Sequence, residues 1–153
     1  MSAEENKIYL DVCCLNRPFD DQNQSRIRLE SEAILIILAQ CEEGRWEWVG
    51  SEAVGWETSK SPDPERRQRV QLLASHAHHT VSVGQSETAR AQEIQAWGIK
   101  AFDALHLACA ESGQVDVFLT TDDRLLRKAT VYAKQLRVRV ENPLTWLSEV
   151  ETR

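Results

Sequence analysis

Apolar and polar positions along the chain switch repeatedly between a strand-like and a helix-like period. Ile8 to Val12 is a short apolar run that reads as a strand closing at Asp11, followed by Arg17-Pro18 and a polar loop over Asp20 to Ser25. Ile27, Ile34, Leu38 and Cys41 then recur at spacings of seven, four and three, the pattern of one helix face, and Gly44 is placed to end that helix. Trp46 to Gly50 predicts a second strand, and Ser51 stands as N-cap of a short helix carrying Glu52 and Glu57. Ser61-Pro62-Asp63-Pro64 breaks the chain. Asp63 is then a cap and Pro64 the first residue of a helix with Val70, Leu73, Ala74 and Ala77 inward.

Thr80 to Val83 predicts a third strand. Ser86 to Trp97 predicts a helix stopped by Gly98, and Ala101 to Ser112 another stopped by Gly113. Val115 to Thr121 is the clearest strand, because Val117, Phe118 and Leu119 run together as in a strand buried on both faces. Leu125, Ala129 and Tyr132 form a further helical stripe, Val138 to Val140 a fifth strand, and Pro143 opens a last helix with Leu144, Leu147 and Val150 inward. Strands alternate with helices, and no two are joined by a tight hairpin. The expected class is α/β: a three-layer α/β/α sandwich around a five-stranded, mostly parallel sheet. At 153 residues this is one domain over 1–153, with frayed ends expected at 1–6 and 151–153.

With 42% hydrophobic and 27% charged residues, the chain can bury a core without disulfide staples. Cys13, Cys14, Cys41 and Cys109 form no C-x-x-C pair and read as free thiols of a reducing compartment. The most apolar helical stretch, Ala33 to Ala39, is far short of the ~20 residues of a membrane span, and Met1 to Asn6 is polar. No membrane association and a cytoplasmic location are therefore expected. A net charge of −6 excludes nucleic-acid binding by overall charge but not by a local patch. One such patch is present: residues 124 to 139 include Arg124, Arg127, Lys128, Lys134, Arg137 and Arg139 and no acid.

The acids recur at the ends of elements. In an open parallel sheet, ligands bind beyond the carboxyl ends of the strands. Asp11 closes the first strand, Glu57 follows the second, and Asp122 and Asp123 follow the Val115–Thr121 strand. Asp103 opens a helix that is apolar on two sides, so it does not face outward by default. Carboxylates gathered in one place stay ionised together when a cation sits among them. Oxygen donors without Cys or His suit Mg²⁺ or Mn²⁺, ions that orient phosphate oxygens and activate water. His76, His78 and His79 lack the further ligands a zinc site needs. Phosphate-cradling glycine loops are absent. A phospho-receiver is disfavoured too, since Asp11 has no adjacent acid and the fifth strand runs into Asn142-Pro143.

Ile8-Tyr9-Leu10-Asp11, Ser51 to Glu57, Phe102-Asp103-Ala104-Leu105-His106-Leu107-Ala108 and Leu119-Thr120-Thr121-Asp122 together resemble the PIN-domain family, in order and spacing, over nearly the whole chain. The resemblance implies an acidic pocket that holds Mg²⁺ or Mn²⁺ and cleaves RNA. It also implies a kinship with VapC-type toxins, which are homodimers neutralised by a cognate antitoxin. Asp11, Glu57, Asp103 and Asp122 match the four acidic positions, as catalytic residues and metal ligands. Thr120, Asp123, Asn16 and His106 stand around them, His106 within reach of Asp103 at i+3, and Arg124, Arg127 and Lys128 are the expected RNA-contacting patch. One departure is Cys13, where the family often has Asn two places after the first Asp; Asn16 is an alternative source of that group. Thiolates prefer softer ions than Mg²⁺. The departure therefore keeps open a second reading, a catalytically lapsed PIN domain that binds protein or RNA. Trp46, Trp48, Trp56, Trp97 and Trp146 are assigned to core packing or an interface.

Overall fold

In the computed structural model, which describes residues 6–152, the first strand lies in the middle of the sheet. The strands are β1 (Lys7–Leu10), β2 (Glu47–Ser51), β3 (His79–Val81), β4 (Val117–Leu119) and β5 (Arg139–Glu141). They pair in the order β3-β2-β1-β4-β5, and every pairing is parallel. Central strands of such a sheet are covered on both faces, and Ile8, Tyr9, Leu10, Val117, Phe118 and Leu119 are buried without alternation. From β1 the chain winds outward through β2 and β3, then returns to lay β4 and β5 on the other side. The winding reverses between β1 and β4, and that is where an open sheet leaves a crevice. The register Leu10↔Leu119 makes Asp11 and Thr120 the first residues past the ladder on either side of it. The amide of Asp11 still donates to Leu119 O at 3.0 Å.

Eight helices among the described residues cover the sheet: α1 (Val12–Asn16), α2 (Ser25–Glu42), α3 (Glu52–Thr58), α4 (Pro64–Ala74), α5 (Gln85–Gln95), α6 (Ala101–Ser112), α7 (Asp123–Val131) and α8 (Pro143–Glu151). The expected limits of α6 are met. Asp63 caps α4 by accepting from the amides of Glu65 and Arg66, with Pro64 in the first turn. β1, β3 and β4 are shorter than the apolar runs that announce them, because residues past the ladder turn into the loops that build the crevice, while β2 and β5 keep the expected length one residue further on. The segment read as strand end and loop is instead α1 followed by a 3₁₀ turn (Arg17–Phe19). One turn of helix shows no hydrophobic period, and it forms because Asp11 caps the amide of Val12.

Ser51 occupies the N-cap position of α3, yet its hydroxyl bonds Tyr9 and no helix amide. Glu30 of α2 is buried as a carboxylate; it accepts from Arg17 at 2.9 Å, Arg26 at 3.2 Å and Asn142 at 2.7 Å, tying α2 to the 3₁₀ turn and to the start of α8. Trp46 packs edge-on against Trp146 at 4.8 Å, Trp97 stacks on Tyr132 at 5.0 Å, and Trp56 is exposed. His78 Nδ1 accepts the amide of Trp48. The four cysteines are free. Residues 1–5 and 153, where fraying was expected, lie outside the described residues; Asn6 is bonded to Asp116, and Glu151 still belongs to α8. No helix among the described residues is long and apolar enough to cross a membrane.

Candidate active site

Asp11 anchors the crevice. Only 4% exposed, it accepts from the amide of Val12 at Oδ1 (2.8 Å) and from the hydroxyl of Thr120 at Oδ2 (2.8 Å). Burial pushes its carboxyl upward, opposed by the nearby His106 and by the Thr120 hydroxyl. The Thr120 oxygen also accepts the amide of Asp122 at 3.1 Å, so one hydroxyl sets the position of two acids. Cys13 lies in the wall of the same site. Its thiol donates to Asp11 Oδ2 at 3.4 Å and accepts the amide of Thr121 at 3.4 Å, bridging the ends of β1 and β4.

Glu57 reaches the site from the last turn of α3. Its Oε1 lies 2.7 Å from Nε2 of His106, whose Nδ1 lies 2.6 Å from the hydroxyl of Tyr9. His106 is fully buried, and its imidazole crosses to Glu57 instead of meeting Asp103 one turn earlier on α6. Burial works against a charge on His106, but the hydrogen bond to Glu57 and the charges of Asp11, Glu57 and Asp103 outweigh it, and its pKa is raised.

Asp103, in the first turn of α6, faces Asp122 across a cleft of about 230 Å³ lined also by Gly98, Lys100, Arg124 and Lys128. Its carboxyl is pushed up to about 7 by burial and by the charges of Asp11 and Asp122. Asp122 caps α7 through Oδ1, which accepts from the amides of Arg124 (2.9 Å) and Leu125 (3.3 Å); its Oδ2 takes no protein donor among the described residues.

The remaining expected residues divide. Asp123 turns away and forms a two-pronged pair with Arg26 at 2.7 and 2.8 Å. Asn16 donates to Val12 O at 3.0 Å and, with Glu57, Thr58 and Lys60, lines a second cleft of about 290 Å³. Arg124 and Lys128 line the first cleft, while Arg127 stands exposed on α7. The Lys128 ammonium lies against the backbone of Gly98 (φ +93°), where an added Cβ would come within 2.9 Å of Nζ. Tyr9, Ser51, Gly98 and Lys100 were not anticipated. Tyr9 and Ser51 do stand in the segments that carry the PIN resemblance, and Lys100 is a cation directly before the Ala101–Ser112 helix that carries Asp103.

Ligand atoms of Asp11, Glu57 and His106 all lie within 4.8 Å of one another. Oxygens bound to one Mg²⁺ at about 2.0–2.1 Å sit roughly 3–4 Å apart, so the two carboxylates need little movement to share a hard cation. The mutual repulsion that raises Asp103 is what such a cation relieves. The donor set therefore fits Mg²⁺ or Mn²⁺.

The family profile described as PIN domain matches residues 8–131. The chain belongs to the PIN-domain family. The matched span runs from β1 to the end of α7 and includes all four acids; β5 and α8 complete this PIN domain beyond it. Among solved structures, a chain of VapBC2 from Rickettsia felis, crystallised bound to a DNA fragment from the VapBC2 promoter, overlays on the PIN domain with a TM-score of 0.57. The identity is 15%, and the overlay covers 89% of this chain and 98% of that one, a likeness of fold. Comparison with curated proteins returns no match.

Proposed function

We propose that this PIN domain is an endoribonuclease that hydrolyses RNA phosphodiester bonds with Mg²⁺ or Mn²⁺, and that it is the toxin of a toxin–antitoxin pair. The observation that supports the reading is that Asp11 and Glu57 bring carboxylate oxygens within 4.8 Å of each other at the switch point of a parallel sheet, near enough to Asp103 that, after burial, their charges and that of Asp122 raise its carboxyl, in a chain of this family. A divalent ion bound there supplies the positive charge that orients a phosphate oxygen and makes a neighbouring water more acidic. Asp11 and Glu57 would hold that ion, and Asp103 and Asp122, which line the neighbouring cation-rich cleft, would supply further oxygens to it. Thr120 keeps Asp11 and Asp122 in register.

The cations support RNA as the substrate. Arg17, Arg26, Arg66, Arg69, Arg90 and Arg139 are each paired with an acid. Lys100, Arg124 and Lys128 make no side-chain hydrogen bond or ion pair among the described residues, and all three line the Asp103–Asp122 cleft. In a chain of net charge −6, three positive charges without an acid partner thus stand where a phosphate backbone would approach the acids.

The VapBC2 assembly offers a precedent for a partner on a chain of this fold. Exposed Leu29, Leu35 and Ile36 on α2 and Leu72 on α4 provide apolar surface for an antitoxin segment or a second copy in a cytoplasmic homodimer. Cys13 favours a second reading, a lapsed PIN domain that keeps its binding role, because its thiol stands against Asp11 where the family often has an amide. A panel of labelled single-stranded RNAs separates the two. Cleavage with Mn²⁺ or Mg²⁺ that stops in EDTA is the expected result. RNA binding that persists in EDTA, without cleavage under any metal, overturns the nuclease in favour of the binding module.

A further inference from the structure

A line of buried hydrogen bonds leads away from the acids into the core. It joins Glu57 of α3, His106 of α6, Tyr9 of β1 and Ser51 at the end of β2, with separations of 2.7, 2.6 and 2.7 Å. A carboxylate only accepts, so Nε2 carries the proton on the bond to Glu57. Nδ1 is held by the Tyr9 hydroxyl, and that hydroxyl by Ser51. None of these three inner groups can turn aside. His106 and Tyr9 are fully buried, and Tyr9 lies stacked on Phe118 with ring centres 5.2 Å apart. Any bond broken here leaves a buried polar atom unpaired. Ser51 even leaves the amides of α3 uncapped by its side chain and spends its hydroxyl on Tyr9.

Glu57 is the loose end of this line. Its side chain is 34% exposed, it sits in the last turn of a short helix, and His106 is the one hydrogen-bond partner of its carboxylate among the described residues. We propose that His106, locked by Tyr9 and Ser51, is a positioning residue that aims the Glu57 carboxylate at Asp11, and that His106 is not itself a ligand of the cation. Both imidazole nitrogens face partners, Glu57 and Tyr9, and a cation could claim Nε2 only by breaking the line. Groups that orient a ligand in this way typically change metal affinity by about 10–100-fold when removed. The inference rests on the divalent-ion site of the proposed function.

Tyr9→Phe is the deciding variant. It deletes one oxygen, keeps the stacked ring and never touches Glu57. In the purified chain, with folding checked by thermal melting, Mn²⁺ affinity read by calorimetry is expected to fall about ten-fold in Tyr9→Phe. His106→Gln, whose amide nitrogen can still donate to Glu57, is expected to retain more affinity than His106→Ala. Pulsed electron paramagnetic resonance of Mn²⁺ on the unaltered chain is expected to show no imidazole ¹⁴N coupling. Unchanged Mn²⁺ affinity in folded Tyr9→Phe, or a ¹⁴N coupling that disappears in His106→Gln, overturns the proposal. If the unaltered chain binds no Mn²⁺, the metal reading fails by itself. The line is then decided by ¹⁵N resonance of His106, which shifts in both Tyr9→Phe and Glu57→Gln if the four groups are coupled and stays put in Tyr9→Phe if they are not.

Discussion

The hydroxyl of Thr120 lies 2.8 Å from Oδ2 of Asp11 and 3.1 Å from the backbone nitrogen of Asp122. It donates to the first and accepts from the second, so a single β4 residue fixes the acid that ends β1 and the acid that opens α7. Thr120→Val keeps the shape and deletes both bonds in a fully buried place. The expected loss is about 1–3 kcal/mol in urea unfolding, together with weaker Mn²⁺ binding. An unchanged unfolding midpoint would show that the hydroxyl carries no weight.

Asp103 gives the site a pH dependence. Its carboxyl titrates at about 7 in the fold, against about 3.9 in an unfolded chain. Between those values the folded chain holds the extra proton. The contribution of Asp103 to stability is therefore greatest below about pH 4 and is lost as pH rises toward 7. Asp103→Asn cannot ionise, so in EDTA the variant gains stability relative to the unaltered chain as pH rises through that window. Paired melting curves at several pH values measure the gap, and a gap that does not widen would contradict the burial and repulsion assigned to Asp103. Added Mn²⁺ is expected to stabilise the unaltered chain most at the upper end.

The cation-lined cleft predicts a salt effect. Removing one phosphate contact on a single strand lowers the slope of log affinity against log salt by about 0.7. Lys100→Ala and Lys128→Ala are each expected to do this in fluorescence anisotropy with a non-cleaving metal-free sample. Arg69→Ala, whose guanidinium is spent on Glu65 one turn away, is expected to leave the slope unchanged. Equal slopes in all three would remove the cleft from the RNA path.

Much of the frame is legible before any coordinates. The Asp63-Pro64 cap, the full extent of α6 and the order of the strands and of every helix but α1 follow from local chemistry, because caps and long periodic helices are decided within a few residues. The four acids also declare themselves by standing at element ends. What escapes is decided across the sheet. Tyr9 and His106 are 97 positions apart, and nothing near either one announces their bond. Helical spacing points His106 at Asp103, but the side chain leans the other way because Glu57 and Tyr9 supply partners on both ring nitrogens. Asp123 reads like Asp122 until Arg26 arrives from α2 to hold it outside. Glu30 looks like an ordinary helix-surface acid; its burial depends on Arg17, Arg26 and Asn142 from separate stretches of chain. Cys13 reads as a defect in the family pattern, and in the fold its thiol joins the ends of β1 and β4.

The role proposed for these acids is cleavage of RNA. The most direct measurement compares cleavage of one labelled single-stranded RNA, in Mn²⁺, by the unaltered chain and by Asp11→Asn, Asp103→Asn, with both proteins shown to be folded. Cleavage by the unaltered chain that falls by at least about a hundredfold in the double variant is the expected result, since oriented charge at the reacting phosphate is worth that much or more. Equal cleavage by the two proteins would contradict the assignment of the site and trace the activity to something other than Asp11 and Asp103.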